Sequence, residues 1–335
     1  MKVLRRLLLP FSILYSLVTA VRNRLYDSGR WKSEKYELPV ICVGNLSMGG
    51  TGKSPMIEYL LEFLLTRYKV STLSRGYKRK TKGYKEVLTS STAEEVGDEP
   101  LQFKKKYPKA TVAVCADRRE GIANLKKDAD IILLDDAFQH RKVRPSFSIV
   151  LTPFDDLFID DFVVPAGNLR ESRSGMKRAD IIVVTKCPSN VPYAKMQEIE
   201  FRMPLKSHQK LYFSSIGYSQ HIYNVSESQS LDYLADKPFT LVTGIANPTP
   251  LLRFLKDRGC TFTHRKFADH HHFSEKEITS LQEEELILTT EKDYMRLQPK
   301  LNKFALYYLP ITTQILKDQD SFFKETILKH VERYA

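Results

Sequence analysis

The run Ser47-Met48-Gly49-Gly50-Thr51-Gly52-Lys53-Ser54 has residue types suited to holding a phosphate chain. Gly49, Gly50 and Gly52 let successive backbone N–H groups converge on an anion without Cβ clashes, and Thr51 sits among them. Lys53 supplies a cation for the outer phosphates, and Ser54 the hydroxyl expected on Mg²⁺. The apolar run Pro39-Val40-Ile41-Cys42-Val43 precedes the loop, and Met56, Ile57, Leu60, Leu61 and Leu64 follow at helical spacing. Strand, loop and helix thus come in the order that aims a helix N-terminus at a bound anion. The strict pattern G-x-x-x-x-G-K-[ST] fails at its first position, Ser47, so the loop is a variant. Met48 stands where deviant ATPases carry a second lysine. Pro188, in Thr185-Lys186-Cys187-Pro188, stands where GTPases carry their guanine-reading Asp. ATP is the expected nucleotide and Mg²⁺ the expected metal.

Such a loop needs a sheet to carry it. Tyr68–Leu73, Thr111–Val114, Ile131–Leu134, Phe147–Leu151 and Ile181–Val184 are short apolar runs, the earlier ones separated by helical-length segments. This alternation predicts an α/β fold, a P-loop NTPase-like, mainly parallel sheet with flanking helices whose sites gather at the carboxyl ends of its strands. Leu211–Ile216 and His221–Val225 read as a β-hairpin around Gly217, and a second, smaller α/β unit starts near Pro238. The expected organisation is an N-terminal helix over 1–30, a phosphate-loop domain over 31–205, a linker hairpin over 206–235 and a small C-terminal α/β domain over 236–335.

At 335 residues the chain exceeds the ~250 to 300 at which single cores usually stop growing. Its 52 Lys and Arg against 40 Asp and Glu suggest an anionic partner. Cys42, Cys115, Cys187 and Cys260 are scattered, with neither zinc nor disulfide spacing, which suits a reducing cytoplasm. Near the N-terminus, Leu7–Val18 is apolar, contains Pro10 and is flanked by Arg5, Arg6, Arg22 and Arg24. It is short for a spanning helix and fits an interfacial helix on an anionic membrane surface; packing on its own domain is the alternative.

Further polar clusters lie along the chain: Leu73-Ser74-Arg75-Gly76-Tyr77, Gly97-Asp98-Glu99-Pro100, Asp135-Asp136-Ala137-Phe138-Gln139-His140-Arg141, Gly167-Asn168-Leu169-Arg170-Glu171, Thr243-Gly244-Ile245-Ala246-Asn247-Pro248, Asp269-His270-His271-His272-Phe273 and Thr290-Glu291-Lys292-Asp293. With Gly44-Asn45-Leu46 and the phosphate loop, the series resembles the tetraacyldisaccharide 4'-kinase family from end to end. Ala137, Ser54 and Asn168 replace a usual Gly, Thr and Pro without removing a reacting group. The resemblance implies ATP-dependent phosphorylation of the 4'-hydroxyl of tetraacyldisaccharide 1-phosphate, a lipid A precursor, at the cytoplasmic face of the bacterial inner membrane. Neither nucleic acid nor an obligate protein partner is expected. A membrane-associated ATPase acting as a switch or assembly factor is the alternative, with water as acceptor.

Asp135 and Asp136 close an apolar strand, where a carboxylate reaches a phosphate-bound metal or simply ends the strand in a turn. Asp98 fits both an N-cap and a general base; the resemblance implies the base, working with Asp269-His270, a pair that would tune or position it. Gln139 and His140 are candidates for nucleotide, metal water or substrate. Arg75 and Arg170 could brace phosphates, and Glu171 is a metal-facing or supporting carboxylate, with surface ion pairs as the alternative for all three. Consecutive histidines rarely converge on one ion, so His271 and His272 read as packing or surface residues. Lys292 and Asp293 read as supports of the second unit.

Overall fold

The computed structural model describes residues 5–269, 271–301 and 305–334. Its strands are β1 (Val40–Asn45), β2 (Val70–Ser74), β3 (Lys85–Glu86), β4 (Thr111–Val114), β5 (Ile131–Asp135), β6 (Phe147–Pro153), β7 (Ile181–Thr185), β8 (Lys210–Tyr218), β9 (His221–Tyr223), β10 (Ser228–Ser230), β11 (Phe239–Thr243), β12 (Phe262–Lys266), β13 (Ile287–Thr290), β14 (Leu306–Leu309) and β15 (Ile311–Ile315). The helices are α1 (Leu9–Asp27), α2 (Lys53–Leu64), α3 (Ala93–Val96), α4 (Asp98–Lys106), α5 (Arg118–Leu125), α6 (Tyr193–Arg202), α7 (Thr249–Asp257), α8 (Glu275–Gln282), α9 (Glu291–Leu297) and α10 (Asp320–Val331).

The larger sheet runs β15-β8-β7-β6-β1-β5-β2-β4-β3, parallel except for β3 and β15 at its two edges. Strands β1, β2, β5 and β7 are buried along their whole length because both faces of the sheet are covered. The pleat divides the sheet's side chains: Ile41, Val43, Leu133, Ile149 and Val183 join one core with Met56, Ile57, Leu60 and Leu64 of α2. Val40, Cys42, Leu134, Val150 and Ile182 join the other. The loop after β1 therefore emerges mid-sheet between β5 and β6, with α2 clamped by burial beneath it.

The smaller sheet runs β10-β9-β14-β13-β11-β12. It is not a separate lobe, since Val242, Ile287, Tyr294, Met295 and Leu306 belong to the same apolar core as α2. α9 packs against α4, which places its side chains beside the phosphate loop.

The expected hairpin around Gly217 does not form. β8 continues through Gly217 to Tyr218 and pairs with β7 and β15, whereas β9 belongs to the smaller sheet. Gly217 is a strand residue opposite Thr312; a Cβ there would press on Gln314 and Thr312. The 236–335 span also divides, because β15 returns to pair with β8, and Phe323, Ile327 and Val331 of α10 enter the core beneath the larger sheet.

α1 inverts the usual burial of an amphipathic helix. Its buried residues are Ser12 and Thr19, while Phe11, Ile13, Leu14, Leu17 and Val18 are each at least 60% exposed. The polar side docks: the Ser12 hydroxyl accepts from the Ala166 N–H at 2.9 Å, and Arg5 donates to the Asn168 side chain at 3.0 Å. No helix among the described residues is long and apolar enough to cross a membrane.

Candidate active site

The phosphate loop is braced from beneath and from one side. Asn45 Nδ2 donates to Thr51 Oγ1 at 2.9 Å, Thr185 Oγ1 donates to the Thr51 carbonyl at 2.8 Å, and Lys186 Nζ reaches the Gly50 carbonyl. The Met48 N–H donates to the Asn168 carbonyl at 2.7 Å, bringing the segment that carries Arg170 alongside. Gly52 holds a φ of 89° at the head of α2, a left-handed conformation that glycine adopts without steric cost. Met48, Gly49 and Gly50 face solvent, Thr51 is buried, and Lys53 opens the helix.

Acids meet this loop from two directions. At the end of β5, Asp136 takes a positive φ of 50° and accepts from Arg170 Nη1 at 2.9 Å, with Lys53 Nζ at 3.7 Å from the same oxygen. From α4, Glu99 Oε1 accepts the Ser54 hydroxyl at 2.6 Å and the Lys292 ammonium at 2.6 Å. Asp98, one residue earlier, accepts from Arg296, with Nε to Oδ1 at 3.1 Å and Nη2 on the other oxygen. Gly97, at φ 95°, makes the turn that starts α4 and delivers both acids.

α9 carries the partner cations, and its first turn is itself fixed. The Thr290 hydroxyl caps the helix by accepting from the Asp293 N–H, while Asp293 Oδ2 accepts the Gly244 N–H at 2.8 Å and the Thr290 hydroxyl at 2.7 Å. The charge of Asp269 also acts on both Lys292 and Arg296, so Asp269 lies near both pairs. His270 lies outside the described residues.

Asp135 is fully buried, and its Oδ1 has no hydrogen-bond partner among the described residues. Burial first, then the negative charges of Glu99 and Asp136, pushes its carboxyl well above the usual carboxylate range. Burial opposes the Glu99 charge too, but Lys292, the Ser54 hydroxyl and Lys53 outweigh it and hold Glu99 below that range. An unpartnered buried carboxylate oxygen beside a second acid and a serine hydroxyl is an oxygen donor set that fits a hard divalent cation. Ser54, Asp135 and Glu99 are the residues that could hold one, while Asp136 is turned to Arg170 and Lys53.

Glu171 is corrected from a candidate metal ligand to a framework acid. Only 1% exposed, it accepts from Arg178 on both oxygens at 2.8 and 3.0 Å, from Gln139 at 3.1 Å and from Asn23 of α1 at 2.7 Å. With both oxygens taken by donors, it offers a cation nothing without losing these bonds. Gln139 is likewise a brace, since its amide also donates to the Asn45 carbonyl at 2.8 Å. Among the described residues the buried His140 Nε2 has no hydrogen-bond partner; it lies 3.7 Å from Asp117, and burial together with the charge of Arg118 lowers its pKa and favours the neutral ring. Arg75 is exposed at the end of β2. His271 packs on Phe267 and bonds Glu277 at 3.0 Å, as a packing residue does.

Lys53, Ser54, Asp98, Asp135, Asp136, Arg170 and Asp269 thus lie at or close to one another around the loop. Sequence reasoning missed Glu99, Lys186 and Arg296 and read Lys292 only as a support of the second unit. One local cue pointed to Lys186: it directly follows an apolar strand, as Asp136 closes another, and both take positive φ there.

Residues 4–332 match the family described as tetraacyldisaccharide-1-P 4'-kinase. A tetraacyldisaccharide 4'-kinase from Flavobacterium johnsoniae is 46% identical over 338 residues, spanning 99% of this chain and 98% of that one. Its counterpart from Bacteroides thetaiotaomicron is 42% identical over 351 residues, spanning 97% and 92%. The crystal structure described as an "apo" form of Aquifex aeolicus LpxK in complex with ATP superposes with a TM-score of 0.79 at 32% identity, over 99% of both chains.

Proposed function

The chain belongs to the tetraacyldisaccharide-1-P 4'-kinase family, an ATP-dependent kinase of lipid A synthesis, and from that membership we propose how its residues divide the work. The acceptor is the 4'-hydroxyl of tetraacyldisaccharide 1-phosphate, met at the cytoplasmic face of the bacterial inner membrane. The observation that carries this reading beyond the family is α1: it docks by its polar side next to Arg170 and Glu171 and leaves its apolar side bare. A helix so oriented delivers the phosphate loop to a lipid surface.

The backbone N–H groups of Gly49, Gly50, Thr51 and Gly52 cradle the phosphates, and Lys53 exchanges Asp136 for the γ-phosphate. Arg170 then braces either Asp136 or phosphate. Ser54, Asp135 and Glu99 would hold Mg²⁺, which would supply positive charge against the phosphates. Asp98 takes the proton of the acceptor hydroxyl. Asp98 is held by Arg296, so Arg296 must give way before transfer; Asp269, whose charge already acts on Arg296, receives that guanidinium in this reading, and the family resemblance gives His270 the part of orienting the base. Arg75, exposed beyond β2, is free to meet the acceptor's own phosphate.

The test is label transfer. Protein incubated with γ-labelled ATP and tetraacyldisaccharide 1-phosphate in mixed micelles should place label on lipid, with little phosphate release when lipid is omitted. Label recovered only as free phosphate would overturn the reading in favour of a switch ATPase.

A further inference from the structure

We propose that Lys292, brought by the smaller sheet, is a catalytic residue of the phosphoryl transfer, an ammonium poised over the phosphate loop that contacts the transferred phosphoryl group. This rests on the kinase reading above. Three consecutive side chains leave the first turn of α9 in three directions, about 100° apart as helix geometry dictates. Glu291 turns to Lys106, at 2.9 Å, and to the Ile311 N–H; Asp293 turns to Gly244 and Thr290. Lys292 leaves between them toward Glu99. Its two neighbours are buried and anchored to different parts of the fold, so its direction is set by rigid surroundings and not by its own flexible stem.

The Glu99 oxygen that receives Lys292 also receives the Ser54 hydroxyl. Ser54 lies in the first turn of α2, where unpaired N–H groups and the helix dipole await an anion. Lys292 is therefore one carboxylate oxygen away from the phosphate position. Burial works against both charges of this pair, and a desolvated ion pair is weak evidence of stabilisation, which makes stability a poor reason to aim a lysine there. In this arrangement Lys53 rests near Asp136 and Lys292 on Glu99, so each ammonium is parked on an acid. A nucleotide polyphosphate offers both a stronger partner. Lys53 then approaches from the loop and Lys292 from the opposite wall, and the transferring group is held between two charges carried by different sheets.

The transfer forms the bond from the acceptor oxygen to the γ-phosphorus and breaks the bond from that phosphorus to the β,γ-bridging oxygen, which leaves with its electron pair on ADP. The acceptor's proton passes to Asp98. Lys292 makes no covalent bond and keeps its protons; its contribution is charge at the equatorial oxygens.

The full chain carrying Lys292→Ala, Lys292→Arg or Lys292→Cys tests this. Lys292→Ala should lower kcat by ~10²–10³-fold, the usual loss for one donor to a developing anion. KM for ATP should rise by less than kcat falls, because the ammonium meets the γ-phosphate of bound ATP and, more strongly, the charge that develops during transfer. Alkylating Lys292→Cys with 2-bromoethylamine, which rebuilds an ammonium, should restore activity, whereas iodoacetamide should not; three of the four native cysteines are buried and Cys260 is partly so. Without turnover, in EDTA, fluorescent ATP should bind the wild-type chain more tightly than fluorescent ADP, and Lys292→Ala should narrow that difference, with Lys53 keeping the remainder. A kcat near wild type, equal inactivity of both alkylated forms, or an unchanged preference for ATP would overturn the proposal. Failure of the wild-type chain to label lipid would instead overturn the kinase reading, while the binding comparison still reports on Lys292.

Discussion

Replacing Glu171 separates two roles that a carboxylate near a phosphate loop can play. If it anchors the frame, its loss is felt in stability; if it held metal, in the Mg²⁺ requirement. The side chain is 1% exposed and accepts four hydrogen bonds, two of them from Arg178. Removing one partner of a buried ion pair costs ~3–5 kcal/mol. Arg178 is about one-fifth exposed and can turn to water, so Glu171→Ala should sit at the lower end, about 3 kcal/mol. Glu171→Gln keeps the shape and one acceptor and should cost about 1–2 kcal/mol. In a chain this long each kcal/mol lowers Tm by roughly 2 °C, giving a drop near 6 °C for Ala. The assays are thermal and urea unfolding, paired with Mg²⁺ titration of label transfer by Glu171→Gln at a temperature where it stays folded. Half-maximal Mg²⁺ should match wild type. Unchanged stability with a Mg²⁺ requirement raised ~10-fold or more would refute the framework assignment, since that is the signature of a lost ligand.

Other consequences are as direct. Asp98→Asn should lower transfer by ~10²–10⁴-fold while leaving ATP binding intact, measured by single-turnover label transfer and equilibrium binding; wild-type transfer would remove Asp98 as the base. Glu58 is pushed up to about 7 by burial and then by the Glu291 charge, against Lys106 at 2.6 Å. Between about pH 4.5 and 7 the folded chain therefore holds a proton that the unfolded chain has released, and stability from this group falls as pH rises through that window, by at most about 3 kcal/mol. Glu58→Gln should flatten that slope in urea titrations, and an unaltered slope would assign it elsewhere. Phe11→Glu, Leu14→Glu and Val18→Glu together should abolish flotation with anionic vesicles while shifting Tm by only a few degrees, because these side chains touch little of the protein. Continued flotation would refute membrane docking through α1.

The phosphate loop was legible because its chemistry is local: strand, glycines, lysine and hydroxyl follow one another, and burial of one helix face fixes their mutual placement. Asp135 and Asp136 were legible for the same reason, as acids ending an apolar strand. The pairs Glu99–Lys292 and Asp98–Arg296 were not, since they join residues 193 and 198 positions apart and arise only when α9 packs on α4. Glu171 misled because a carboxylate in a polar motif looks the same whether it faces a metal or an arginine seven residues away. Gly217 misled because glycine between two β-patterned runs serves equally as a turn or as a strand position needing close approach. At α1 the apolar run was plain, but which side would dock depended on polar partners such as Ala166 and Asn168, far along the chain.

β15 covers the outer edge of β8, and α10 closes the core under α2. Both come from the last 25 residues, whereas the loop they help to hold is made near residue 50. During synthesis, the catalytic sheet therefore stays open at its β8 edge until β15 has been made. Until residue 315 leaves the ribosome, β8 presents an unpaired edge, the kind of surface on which nascent chains pair wrongly. A chain cut between β8 and β15 lacks that cover and leaves the edge of the catalytic sheet open.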